Sequence, residues 1–365
     1  MERDARLDGV TRLMFQTTRI PGIFWYAQRT PGALSENCYL FITGAGNVLV
    51  DPLPFDDATH AALERLGGIE RVVVLSAGRD AAAREIGKRY GVPLIDAPAH
   101  REALFEGARA IVLLDQRRDG EFAISVPAQQ VVVAGGSVVG SPAGALSLPE
   151  ESEYADGRKA ALGLRRILRE DPETLLVAVG EPIFSGAYDV LYHTLYARAG
   201  AEIHRVNLDE LEFRDERAEH VQQPKRYHNF DAEVGFVIGA RKLGYRVSTL
   251  PPGHYFCPLH GHAREEEMFF VLDGEPSIRT LAGTLRCRKG DFIAFPVGES
   301  GTHQLLNESD APATVLLLGR TEAFEACYYP DSDKLLVDME TPLKGDRRSF
   351  LLRATPELDY FDGEE

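Results

Sequence analysis

Residues 260–274 read His-Gly-His-Ala-Arg-Glu-Glu-Glu-Met-Phe-Phe-Val-Leu-Asp-Gly, and the fold of the C-terminal half turns on them. His260 and His262 form the one His-x-His pair in the chain. In an extended strand residues i and i+2 project to one face, so both imidazoles can reach a common ion. Glu267 follows, and Phe269 and Val271 share its odd-numbered face. That alternation sets a carboxylate at the head of a core-facing strand. The run Glu265-Glu266-Glu267 leaves a choice of register. The spacing to Gly274 and the shared apolar face select Glu267, which puts Glu265 and Glu266 at a rim.

Further positions extend the pattern on both sides. Gly253 precedes the histidines, and Gly274 closes the strand. Gly290-Asp291, Pro296-Val297-Gly298, His303 and Asn307 follow. This two-part order resembles the signature of the cupin superfamily over about residues 226–319. The departures are one extra residue between Gly253 and His260 and two within Glu299 to Thr302. Both are expected in loops, where insertions cost little. The resemblance implies a double-stranded β-helix barrel with His260, His262, Glu267 and His303 as the metal ligands. Three imidazoles and one carboxylate suit one divalent first-row ion per chain, with iron, manganese, nickel, copper, cobalt and zinc all open. An octahedral ion would keep two positions for water or substrate. The site's formal charge of about +1 favours an anionic or enolate-like ligand. Phe256, Phe269 and Phe295 are candidate pocket walls, with plain core packing as the alternative for aromatic strand residues. Arg246 and Arg279 are candidate partners of a substrate carboxylate, with a solvated barrel surface as the alternative. His254 reads as a turn residue. Tyr328 to Lys334 and Asp359 to Glu364 resemble a group of bacterial cupin proteins of unassigned function, so the resemblance implies a fold and a site rather than a reaction.

The first half has a different rhythm. Asn37 to Thr43 and Val48 to Asp51 are strand-like and joined by Gly44-Ala45-Gly46, a hairpin signal. Further strands are expected at Val72 to Leu75, Ala110 to Leu114, Gln130 to Ala134 and Leu175 to Val179. Helices are expected at Asp80 to Tyr90, Gly157 to Arg169 and Ala187 to Ala199. Alternating strands and helices point to an α/β layered sandwich. The order over residues 20–206 is similar to the metallo-β-lactamase fold. That family places a His-x-His-x-Asp-His run after the strand equivalent to Val72 to Leu75. Here the residues are Ser76-Ala77-Gly78-Arg79-Asp80-Ala81. The bridging Asp position reads Gly135-Gly136, and the late His position reads Val179-Gly180-Glu181. The resemblance therefore implies a hydrolase fold without hydrolase activity, one that could still bind a ligand or a partner. Asp80, Glu181 and the Gly135-Gly136 loop would lie near its vestigial cleft, with ordinary loop residues as the alternative. Gly44-x-Gly46 leads into another strand, so it is not a dinucleotide loop.

The chain has 365 residues and a net charge of −16, spread evenly over both halves. Nucleic-acid binders cluster Lys and Arg against phosphates, so that class is excluded, as is an anionic membrane surface. No apolar run approaches the ~18 residues of a membrane span, and Met1 to Thr18 lacks a signal-peptide core. Cys38, Cys257, Cys287 and Cys327 are far apart and read as small buried thiols. A cytoplasmic location is the expectation.

Two domains are expected, 1–212 and 213–365, with Arg214 to Lys225 as linker and Thr341 to Glu365 as a tail that packs as an edge segment. The functional expectation is a metal-dependent enzyme of dioxygenase, isomerase or decarboxylase type, acting on a small oxygenated or anionic metabolite. The alternatives are a metabolite-binding or sensing scaffold and a metal-stapled dimerisation module. A homodimer fits all three.

Overall fold

The computed structural model describes residues 15–76, 78–117, 120–215, 224–340 and 347–353. The chain divides into two compact units, 1–205 and 206–365. Among the described residues no helix is long and apolar enough to cross a membrane.

The N-terminal unit is built on an eleven-stranded mixed sheet. Val48–Val50, Arg71–Val73 and Leu94–Ile95 run parallel, with helices Asp57–Arg65 and Asp80–Tyr90 in the crossovers. Parallel strands are covered on both faces, and these read as continuous apolar runs for that reason. Tyr39, Phe41, Val48, Val50, Val73 and Leu75 enter one core with Phe122, Ile124, Val131 and Val133. The intervening Cys38, Leu40, Leu49, Val72 and Val74 enter a second core with Ala62, Leu63, Ala83 and Ile86 of the helices. Local signals set the helix ends. The Asp56 carboxylate accepts from the Thr59 N–H at 2.8 Å, and Gly91 closes the second helix at φ 66°.

The helices Asp80–Tyr90 and Ala187–Ala199 coincide with the expected ones. The expected helix Gly157 to Arg169 is broken at Leu164 into Gly157–Gly163 and Arg165–Leu168. The expected strand at Gln130 to Ala134 runs on to Gly140, with a register shift after Ala134.

The C-terminal unit holds three sheets. A six-stranded sheet runs in the order 214–215, 230–233, 243–250, 313–320, 267–273, 292–295. A three-stranded sheet is ordered 283–286, 277–280, 303–306, and a four-stranded sheet 261–262, 324–329, 334–340, 347–353. Single bridges, His260 to His303 and Tyr255 to Leu306, tie these segments together. Leu250, Phe269, Val271, Phe295, Val315 and Leu317 of the first sheet meet Ile278 and Leu305 of the second in one core. A nearly closed, barrel-like wall results. Gly274 sits at φ +84°, and a side chain there would press to 2.6 Å from the Pro312 carbonyl, so the tight end of strand Glu267–Asp273 requires glycine. Asn307 is fully buried, and its amide donates to the carbonyls of Leu250 and Ala311.

Two expectations are refined. Arg214–Asp215, expected as linker, pairs with Phe230 and Asp231 as an edge strand; residues 216–223 lie outside the described residues. Part of the expected tail, Arg347–Arg353, is the outer strand of the four-stranded sheet; residues 354–365 lie outside the described residues.

Candidate metal centre

Three elements bring four side chains together. His260 and His262 flank Gly261 at the short strand Gly261–His262, Glu267 opens Glu267–Asp273, and His303 opens His303–Leu306. One ligand-type atom each from His260, Glu267 and His303 lies within 4.8 Å of the others. Glu267 Oε2 is 3.2 Å from His262 Nε2 and 3.1 Å from His303 Nε2. The carboxylate thus reaches two of the three rings.

The rings are held from behind. Nδ1 of His260 faces the Pro258 carbonyl at 3.0 Å, and Nδ1 of His303 faces the Gly301 carbonyl at 2.9 Å. A carbonyl only accepts, so each Nδ1 carries a proton, which leaves Nε2 as the nitrogen turned to the centre. This is how metal-ligating histidines are oriented. Phe295 stacks on His303 at 3.7 Å between centroids, and Phe269 meets it edge-on at 5.2 Å. Both phenylalanines are buried core residues rather than pocket walls; of the three candidates only Phe256 lines the cavity that opens on Glu267.

The electrostatics suit a cation. Burial, and then the neighbouring imidazoles, push His260 down to about 4, so its ring is neutral at pH 7. Burial acts against the charge on Glu267, but His262 and His303 outweigh it and hold the carboxyl well below its usual range. Burial also opposes charge on His262, yet hydrogen bonds with Cys327 and Glu267 raise it to about 10. A divalent ion would compete with that shared proton. Nε2 of His262 and of His303 are buried and make no hydrogen bond of proper geometry. Buried ring nitrogens that share one poorly aligned carboxylate oxygen are under-satisfied, and an ion in their midst would satisfy both. Gly319 leaves room here, since a side chain at that position would touch Glu267 at 3.4 Å. The donor set therefore fits a divalent metal.

A cavity of about 230 Å³ opens on Glu267. Arg246, Phe256, Glu265, Leu317 and Arg320 are among its lining residues. Arg246 is braced by Asp231 at 3.2 Å and Glu233 at 3.4 Å. Arg279 is elsewhere, in a two-point ion pair with Asp331 at 2.6 and 2.9 Å. Of the two candidate arginines, the structure brings only Arg246 to the cavity. His254 lies in the turn after Gly253, its Nδ1 2.9 Å from the Pro252 carbonyl.

Residues 246–319 match the family model described as Cupin domain. The match spans His260, His262, Glu267 and His303. No curated protein matches the chain. Similar solved structures include a cupin-superfamily sugar phosphate isomerase from Silicibacter pomeroyi. It is 27% identical, with 41% of this chain and 92% of that one covered and a TM-score of 0.35. A polyketide cyclase from Streptomyces resistomycificus is 20% identical, with 32% and 79% covered and a TM-score of 0.27. The N-terminal half is similar to a metallo-β-lactamase from Pontibacter korlensis, 15% identical, with 51% and 100% covered and a TM-score of 0.43.

Beyond the matched cupin domain, strand Phe324–Tyr329 closes over the centre. Cys327 pairs with His262 across the ladder, its Sγ 3.3 Å from Nδ1. The buried Glu325 carboxylate accepts the backbone N–H groups of Ala263, Arg264 and Glu265 at 2.8, 3.0 and 2.8 Å. Tyr329 stacks on His260 at 5.7 Å. Sequence reading left Glu325 and Tyr329 without a role and took Cys327 for a simple buried thiol. The signal available was the period-2 spacing of 325, 327 and 329. Cys327 is buried and Cys257 half-buried, 3.7 Å from His260 Nδ1.

Proposed function

We propose that His260, His262, Glu267 and His303 hold one divalent metal ion and that the cupin domain is a metal-dependent enzyme acting on a small, anionic or oxygenated metabolite. The observation that carries this reading is the convergence of His260, Glu267 and His303 beside a cavity lined by Arg246. Structural metal sites favour closed, thiolate-rich shells, whereas an imidazole and carboxylate set next to a cavity suits an open one. A bound ion would supply Lewis-acid polarisation of a ligand oxygen. The chain's own residues supply the rest. Arg246, fixed by Asp231 and Glu233, orients an anionic group, and Phe256 and Leu317 exclude water from its carbon frame. At about 230 Å³ the cavity is below the size of drug-sized pockets, which limits the substrate to a small metabolite. Dioxygenation, isomerisation and decarboxylation are the reaction types such a site serves.

The test is a screen of the metal-loaded full chain against small hydroxy acids, keto acids and sugar phosphates, read by product formation. Turnover of one class is the expected result. For that substrate, Arg246→Gln is expected to raise KM at least tenfold with a smaller change in kcat. Saturable binding with no product would favour the receptor reading instead.

A further inference from the structure

A cavity of about 450 Å³ lies in the N-terminal unit. Its wall takes Ser76 and Arg79 from the segment after strand Arg71–Val73, Gly136 from Val131–Gly140 and Val179 from Thr174–Gly180. The first strand runs parallel to Val48–Val50, and the last two run parallel to each other. Ligands of open α/β sheets bind outside the carboxyl ends of such strands.

The charged side chains in the wall are Arg79 and Arg117 with Glu36, Glu150 and Glu153. Arg79 is the unusual one. Its side chain is 9% exposed, and its ion-pair partner is Glu36, at 3.4 Å and 54% exposed. Among the described residues its guanidinium makes no hydrogen bond. Burying a guanidinium is expensive unless several acceptors meet it; the buried Asp51 carboxylate acts on Arg79 only through space and Glu36 is loose and half-solvated, so neither meets its five donors. Arg79 is also the N-cap residue of the eleven-residue helix Asp80–Tyr90, whose positive end is partly offset by Asp80 in its first turn.

Arg117 is held differently. It donates to the Gly136 carbonyl at 2.7 Å and pairs with Glu153 at 2.8 Å. A side chain at Gly136 would press to 2.9 Å from that guanidinium. Gly136 lies where the ladder with Thr174–Gly180 shifts register, between Ala134 and Val139. Such irregularities re-aim strands beside binding sites.

We propose that this cavity binds a small oxyanion, a carboxylate or a phosphate, with Arg79 as its anchoring cation and Glu36 as the competing carboxylate that the ligand displaces. The segments that resembled emptied metal-ligand positions then form a site of opposite charge preference.

Calorimetric titration of the full chain with inorganic phosphate and with succinate tests this. One oxyanion site per chain is expected to weaken at least tenfold in Arg79→Gln, while any binding by the C-terminal unit persists. Glu36→Gln, at a half-exposed position, is expected to tighten the same site several-fold, and it keeps the test decisive if Arg79→Gln does not fold. A preference for succinate assigns a carboxylate metabolite, and a preference for phosphate a phosphorylated one. Wild-type chain that binds neither probe, or affinity unchanged in Glu36→Gln, would overturn the proposal.

Discussion

Glu325→Ala is expected to destabilise the C-terminal unit by about 3 kcal/mol and to weaken metal binding 10- to 100-fold. The carboxylate is 3% exposed and gathers three consecutive backbone N–H groups from the turn between His262 and Glu267. One of them, that of Ala263, is shared with the Ala326 carbonyl at 2.9 Å. Hydrogen bonds to a charged acceptor contribute more than neutral ones, and donors left behind keep their desolvation cost. Without the carboxylate the turn loosens and the two proposed ligands that flank it, His262 and Glu267, lose their mutual placement. His262 also loses a neighbour, since Glu325 Oε1 is 3.6 Å from its Nδ1. Glu325→Gln keeps the shape with one acceptor oxygen and should fall between the two. Urea unfolding and chelator competition measure both effects. A variant with wild-type stability and affinity would remove Glu325 from the account.

Gly301→Ala carries the second large effect. Gly301 ends the turn Glu299–Gly301 and is buried. An added methyl would overlap the Pro296 carbonyl oxygen and lie 2.8 to 3.0 Å from the Pro296 carbonyl carbon and nitrogen. Those are backbone atoms, so no side-chain rotation relieves the overlap and the loop must open. The cost is about 3 kcal/mol, at the upper end for overpacking. The melting temperature should fall by roughly 6–12 °C. The same opening removes the carbonyl that orients His303, so metal affinity drops with stability. Melting curves with and without excess metal separate the two. An unshifted melting temperature would contradict the steric argument.

This loop shows where the sequence was readable and where it was not. The strands that carry the proposed ligands were legible because period-2 alternation is local. Glu267, Phe269 and Val271 share a face in the sequence, and the fold keeps them there. The two added residues within Glu299 to Thr302 read as a harmless insertion. In the fold that segment supplies the Gly301 acceptor for His303. Glu325 and Cys327 sit more than fifty residues beyond the histidine pair, and only the pairing of His262 with Cys327 brings them in. Such long-range register has no local signature. Helices Asp80–Tyr90 and Ala187–Ala199 were legible from apolar spacing, whereas the break at Leu164 and the extension to Gly140 depend on neighbours. Arg79 was read as one residue of an emptied motif. Its burial beside a cavity emerges only from the fold.

Elemental analysis of the purified full chain beside His260→Ala tests the central claim most directly. The account predicts about one divalent first-row ion per chain in the wild type and less than a tenth of that in the variant. Metal retained at full stoichiometry in His260→Ala, or none in wild-type chain prepared with metal in excess, would contradict it.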